Sequence, residues 1–134
     1  MTPERKRLKA LARVLKVQSE LHRIEERKLS MLLRREVELD GEREDLIAAL
    51  NEHDKFYGSF IYPMAKRLRA VDEAADLNRR AKERTARQTT IQGTRKKQME
   101  RLHAAAAQLS DRADEQRDLL EAVERAARGK TSLP

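Results

Sequence analysis

Few residues in this chain of 134 have the types and spacing needed for catalysis or metal binding. There is no cysteine, and the three histidines, His22, His53 and His103, are too far apart to share a metal ion. No Ser/His/Asp set, glycine-rich phosphate loop or pair of buried carboxylates can be placed on common faces. We therefore expect no catalytic residue, no cofactor and no metal, and we predict that the protein is not an enzyme.

Charged side chains are the main chemical feature of the sequence. Lys and Arg number 30 against 23 Asp and Glu, a net charge of +7, and the excess is local. The first concentration, which we call the basic start, is a candidate protein-binding stretch that comprises Arg5, Lys6, Arg7, Lys9 and Arg13. The second, which we call the basic belt, comprises Arg79, Arg80, Lys82, Arg84, Arg87, Arg95, Lys96, Lys97 and Arg101.

The basic belt fits three interpretations. It is a solvated helix face, a contact for an acidic protein surface, or a contact for the phosphates of a nucleic acid. Proteins that bind single strands interleave aromatic residues for base stacking, and the belt has none. Nucleic acid is therefore the least favoured of the three.

Composition selects the fold class. Charged residues make up 40% of the chain and aromatic residues 3%, which is typical of long helices and coiled coils and unlike sandwiches or barrels. No run of 18 apolar residues exists to span a membrane, and the first residues are charged where a signal segment would be apolar. We expect a soluble cytoplasmic protein.

Helix signals divide the chain into two long segments. Thr2 is a capping residue, Pro3 fits the first position of a helix, and Gly58 and Pro63 mark a turn. We predict an all-α fold, a single long two-helix antiparallel coiled-coil hairpin over residues 1–128. Its parts are a helix over 3–56, a turn over 57–62 and a helix over 63–128, followed by a flexible tail over 129–134.

Apolar residues define the packing seam, the row of side chains that each helix turns toward its partner. In the first helix the expected seam includes Val17, Leu21 and Ile24 and has eleven-residue steps, which predict stutters in the coil. In the second helix the expected seam ends in a heptad repeat that includes Leu102 and Leu109. Its middle part, residues 78–95, is polar, so the helices should be held less tightly there.

Two local features have alternatives. Asp40 and Gly41 either lie within the first helix or form a turn that splits it. All four aromatic residues fall within 56–62, where they either form a plug that closes the hairpin or a tip that binds a partner. We favour the unbroken helix and the plug.

The lengths of the helices predict an overhang at the end with both termini. If the turn centres near residue 59 or 60, residue i faces a residue near 119 minus i. The first helix runs out at residue 3, and about residues 114–128, which we call the overhang, are expected to extend beyond it. Leu119, Leu120 and Val123 in the overhang are either a docking surface for another protein or a second copy, or are covered if the register is shifted.

The chain resembles the FliJ-type flagellar export proteins and their YscO-type counterparts in type III secretion. The resemblance covers most of residues 5–128 and is carried by the coiled-coil length and by the basic, apolar segment LKALARVLKV from Leu8 to Val17. It implies a two-helix stalk whose terminal end binds the ring of the secretion ATPase, while other surfaces contact the export gate or chaperones. It further implies a cytoplasmic protein at the periphery of a membrane-bound export apparatus. The polar part of the second seam departs from a uniformly packed stalk.

A second class of function stays open. A basic coiled-coil protein of this kind either forms oligomers with copies of itself or binds nucleic acid. Salt-dependent binding to DNA would favour that alternative.

Overall fold

Two long helices packed against each other form an all-α antiparallel hairpin, as the sequence predicts. The computed structural model describes residues 2–52 and 58–131, with the side chains of 58, 130 and 131 excepted. Helix α1 is Pro3–Asn51, a short 3-10 helix is Gly58–Phe60, and helix α2 is Ile61–Thr131. The described residues contain no strand.

The predicted cap of α1 is present. The hydroxyl oxygen of Thr2 accepts a hydrogen bond from the backbone N–H of Arg5 at 3.3 Å, and its carbonyl oxygen accepts one from Lys6 at 3.1 Å. Pro3 begins the helix, where its missing N–H leaves no hydrogen bond unmade. The N-terminal boundary of α1 therefore follows from local chemistry.

The other boundaries differ from the expected ones by a few residues. Helix α1 ends at Asn51, short of the expected 56, and α2 begins at Ile61, before the expected 63. Pro63 then lies in the first turn of α2, where backbone N–H groups have no helical partner in any case. Residues 53–57, with His53, Phe56 and Tyr57, lie outside the described residues.

Glycine interrupts neither helix. Gly41 lies inside α1, so the turn considered at Asp40 and Gly41 does not form. Gly129 lies inside α2, which continues to Thr131, so the helix extends into the segment expected to be a flexible tail. Neither glycine has a positive φ, and an added Cβ at either position would have no atom within 4 Å.

The chain divides into two compact units. Unit 2, residues 21–92, has its buried hydrophobic residues at Leu39 and Val71, each 2% exposed. The Asn78 amide, also buried, donates a hydrogen bond to the carbonyl oxygen of Leu32 at 3.0 Å. Cross-helix ion pairs flank this core and join Lys82 to Glu36 at 2.6 Å, Arg43 to Asp72 at 2.8 Å, and Arg67 to Glu42.

Unit 1, residues 1–20 and 93–134, is packed through small residues. Ala106 and Ser110 are its buried residues, at 3% and 4% exposed. Arg5 of α1 reaches Asp114 of α2 at 3.0 Å. These two residue numbers add up to 119, so the expected register holds at this point in unit 1.

The packing seam of α2 differs from the expected seam in one of its two rows. The expected row through residues 64, 71, 78, 85, 92, 99, 106 and 113 faces inward. The other row is displaced by one residue, so His103 and Ser110 face inward where Leu102 and Leu109 were expected. Leu102 and Leu109 are 47% and 50% exposed. The buried residues of this part of α2 are the small Ala106 and Ser110, and the leucines are left outside the contact.

The packing seam of α1 also differs from expectation. Its inward positions repeat at steps of three and four from residue 8 to residue 39, with no stutter. The seam therefore passes through polar residues such as Gln18, His22 and Glu25, and it leaves out the apolar residues Val14, Val17, Leu21 and Ile24. Within each unit, this regular repeat keeps one face of α1 against α2.

Replacing Gly41 with Ala should stabilise the protein. The helix conformation at this position suits Ala, the added Cβ meets nothing within 4 Å, and Ala is favoured over Gly by about 1 kcal/mol inside a helix. Urea unfolding followed by circular dichroism should show the increase. Gly129→Ala, in the last turn of α2, is the matched control and should have a much smaller effect. A destabilised Gly41→Ala variant would contradict a straight helix at this position.

Amide exchange should be faster over residues 78–95 than over 99–110. The inward side chains of the first segment are polar, whereas the second includes Met99 and the buried Ala106. Burial of apolar side chains raises the free energy of local opening. Protection factors from hydrogen exchange, corrected for intrinsic rates, measure the difference. Equal protection in the two segments would show that the polar seam does not weaken the packing.

Candidate protein-docking surfaces

The overhang is exposed from residue 115 onward. Arg5, at the first turn of α1, pairs with Asp114, and every residue from 115 to 129 of α2 is exposed. Leu119, Leu120 and Val123 are 61–64% exposed. The apolar stripe of the overhang is therefore uncovered within unit 1, and the alternative of a shifted register that buries it does not hold there.

Acidic side chains accompany this stripe. Residues 114–128 contain five Asp or Glu and three Arg, a net charge of −2. Asp114 is held by Arg5 and by Arg117 at 3.1 Å. The overhang is thus an acidic amphipathic helix at one end of a basic protein.

The basic start lies on α1 at the level of the base of the overhang. Arg5, Lys6, Arg7, Lys9 and Arg13 are all exposed. Arg5 is engaged by Asp114, and Arg7 lines a groove between α1 and α2. The stretch therefore distributes its charge around α1 and does not form a single patch.

The basic belt is divided between the two units. In unit 2 the first three residues are in ion pairs: Arg79 and Arg80 with Asp76, and Lys82 with Glu36. Arg84 and Arg87 are exposed. In unit 1, Lys96 is half-buried in the seam, and three residues are exposed: Arg95, Lys97 and Arg101. Ion pairing and the seam therefore occupy part of the predicted belt.

The aromatic plug is wrong for the two aromatic residues that the structure describes. Phe60 is 59% exposed and Tyr62 76% exposed. Phe56 and Tyr57, the other members of the cluster, lie outside the described residues. The exposed rings lie where α2 begins, so they do not contribute to a buried core there.

The sequence pattern does not reveal a groove in unit 1, because it places Leu109 and its neighbours in the seam, facing the partner helix. At its terminal end the groove is lined by both helices: Pro3, Glu4, Arg7, Ala106, Leu109, Arg112, Ala113 and Gln116. Val14 and Val17 continue the line of Pro3 and Arg7 along α1 at helical spacing, and Leu102 continues the line of Leu109 along α2. The small residues Ala106 and Ser110, one helical turn apart, were the available signal that the leucine row lies beside the seam.

His22 and His103, the two histidines that the structure describes, belong to no cluster of metal-binding side chains. His22 Nδ1 lies 2.8 Å from a carboxylate oxygen of Glu26, and His103 is half-buried in the seam of unit 1. Within residues 2–52 and 58–131 no three His, Cys, Asp or Glu residues are placed to hold a metal ion. A search of the same residues for a helix with the length and apolar character needed to cross a bilayer finds none.

Comparison of the chain with protein-family models, with curated proteins and with solved structures finds no match.

Proposed function

We propose that the protein is a non-enzymatic accessory of a flagellar or type III protein export apparatus. In this role it is a coiled-coil stalk whose terminal end binds the ring of the export ATPase. The observation that carries the proposal is the exposed apolar stripe of the overhang, Leu119, Leu120 and Val123. The family resemblance of the sequence supplies the identity of the partner.

Burial of the stripe provides the driving force for this contact. Transfer of a Leu or Val side chain from water to an apolar interface is favourable by roughly 1.5–3 kcal/mol. An amphipathic helix with such a stripe fits a groove or ring lined by apolar residues. Three exposed side chains within two turns of α2 therefore form a compact anchor for a partner.

The distribution of charge favours the same end of the molecule as the binding site for the ATPase. The basic start places four exposed Lys and Arg side chains besides Arg5 near the base of the overhang. Charges at the rim of an interface accelerate association with an oppositely charged partner. An acidic rim on the ATPase would be steered to this end, while the export gate or chaperones would contact other surfaces of the stalk in the cytoplasm.

The second candidate is a basic coiled-coil protein that forms oligomers or binds nucleic acid. The exposed Arg95, Lys97 and Arg101 favour it, because clustered positive charge attracts phosphates. DNA binding would support this candidate over the export role if the logarithm of the association constant falls with the logarithm of the salt concentration with a slope of several units.

Leu120→Ser/Val123→Ser should abolish capture of the export ATPase while leaving helicity nearly intact. Both side chains are exposed, so their loss removes little from the fold. Pull-down with purified ATPase measures binding, and circular dichroism measures helicity. Leu33→Ser/Val37→Ser, which changes two other exposed apolar residues, is the matched control and should still bind.

Three outcomes would contradict the proposal. If the double variant folds and binds, the overhang is not the docking surface. If it unfolds, the stripe belongs to the core. If the wild-type protein binds no export ATPase, the stalk function is wrong and the second candidate replaces it.

A further inference from the structure

Unit 1 has a second uncovered apolar surface, the groove between α1 and α2. Beyond the residues that line the groove itself, the same side of α1 continues at helical spacing to Val14 and Val17, and the same side of α2 continues from Leu109 to Leu102. These four side chains are 47–61% exposed. In the register fixed by Arg5 and Asp114, Val17 and Leu102 lie at the same level. The two walls therefore form one apolar surface along the helix pair, and they leave room for a third helix.

The charge of this part of unit 1 selects the kind of helix. Residues 1–20 and 93–113 together contain eleven Lys or Arg and four Asp or Glu, a net charge of +7. Arg7 and Arg112 stand in the walls of the groove at its terminal end. An amphipathic helix with acidic flanks is the complementary occupant.

The overhang of a second copy meets this description. It is helical, it has a net charge of −2, and its stripe is Leu119, Leu120 and Val123. Its 15 residues span about 22 Å, and the wall of the groove from Pro3 to Val17 spans about 21 Å at 1.5 Å per residue. Length, polarity and charge of the two surfaces therefore match.

The arrangement is also self-complementary. In each copy the groove ends where the overhang begins, next to Asp114 and Gln116. Two copies that meet end to end about a two-fold axis can each place the overhang in the groove of the other. Such an exchange buries seven exposed apolar side chains per copy: Val14, Val17, Leu102, Leu109, Leu119, Leu120 and Val123.

We propose that the protein forms a symmetric dimer in which the overhang of each copy docks in the unit 1 groove of the other. This inference goes beyond the proposed function and does not depend on it, because no other protein takes part. The dimer covers the stripe assigned to the ATPase, so self-association and ATPase binding exclude each other.

Sedimentation equilibrium of the purified full chain over a concentration series tests the dimer. The expected mass is twice the 15.5 kDa of the chain, and added salt should weaken association. Val17→Ser/Leu102→Ser in the groove and Leu119→Ser/Val123→Ser in the overhang should each raise the dissociation constant at least about tenfold. Leu33→Ser/Val37→Ser is the matched control and should dimerise as the wild type does.

A charge exchange tests which surfaces meet. Glu115 and Glu124 flank the apolar stripe of the overhang at helical spacing. Arg7→Glu/Arg112→Glu and Glu115→Arg/Glu124→Arg should each weaken the dimer, and a chain with all four changes should recover it. The fourfold variant has the same net charge as the wild type, so recovery reports the pairing of the two surfaces.

The proposal is overturned if the wild-type chain stays at 15.5 kDa over the whole series. It is also overturned if the groove variant dimerises like the wild type, or if the fourfold variant does not recover association. Helicity of each variant, followed by circular dichroism, separates a lost contact from a lost fold. Tight binding of an acidic helix from another protein by a chain that stays monomeric would replace the second copy as occupant.

Discussion

The two helices hold together along one narrow seam, because a helix can turn only a stripe of its side chains toward a single partner. Among the described residues the buried hydrophobic side chains are those of Leu39, Val71 and Ala106. The other large apolar side chains within residues 2–52 and 59–129 are at least partly in contact with water. A two-helix hairpin therefore has a small hydrophobic core. Many of its large apolar side chains are exposed, at positions that another helix can contact.

Some polar side chains in the seam have hydrogen-bond or ion-pair partners on the opposite helix. Asn78 reaches the backbone of Leu32, and Lys82 reaches Glu36 from the opposite helix. No buried side-chain nitrogen or oxygen within the described residues is without a hydrogen-bond partner. Buried polar contacts of this type contribute less stability than apolar packing, but they favour one register, since a shift would leave the same groups without partners.

The net charge of the chain, +7, does not show that neighbouring parts of unit 1 have charges of opposite sign. The part of unit 1 where the helices are paired carries a net charge of +7, and the overhang next to it carries −2. Both surfaces have exposed apolar side chains. The overhang can therefore serve as an anchor for a partner such as the proposed ATPase, or as the occupant of the groove in a second copy, and occupation by one excludes the other.

Local chemistry in the sequence was sufficient for the helices, the hairpin and the cap at Thr2, because composition, capping residues and turn residues act over a few positions. It also identified the overhang, since helix lengths follow from the place of the turn. It could not decide which of two neighbouring rows on α2 faces inward. The row with Leu102 and Leu109 and the row with His103 and Ser110 have the same repeat and are rotated by only about 100° from each other.

Apolar character favoured the leucine row, and the tertiary structure selected the other. Ala106 and Ser110 are buried, whereas Leu102 and Leu109 stay about half exposed. Small side chains at a helix contact permit a shorter distance between the helix axes than leucines do. How closely two helices approach depends on the side chains of both, so the small residues of α2 are a signal in the sequence but do not decide the packing by themselves. For this reason the sequence determined the two helices, the cap at Thr2 and the overhang, while packing decided which apolar residues of unit 1 stay exposed beside the seam.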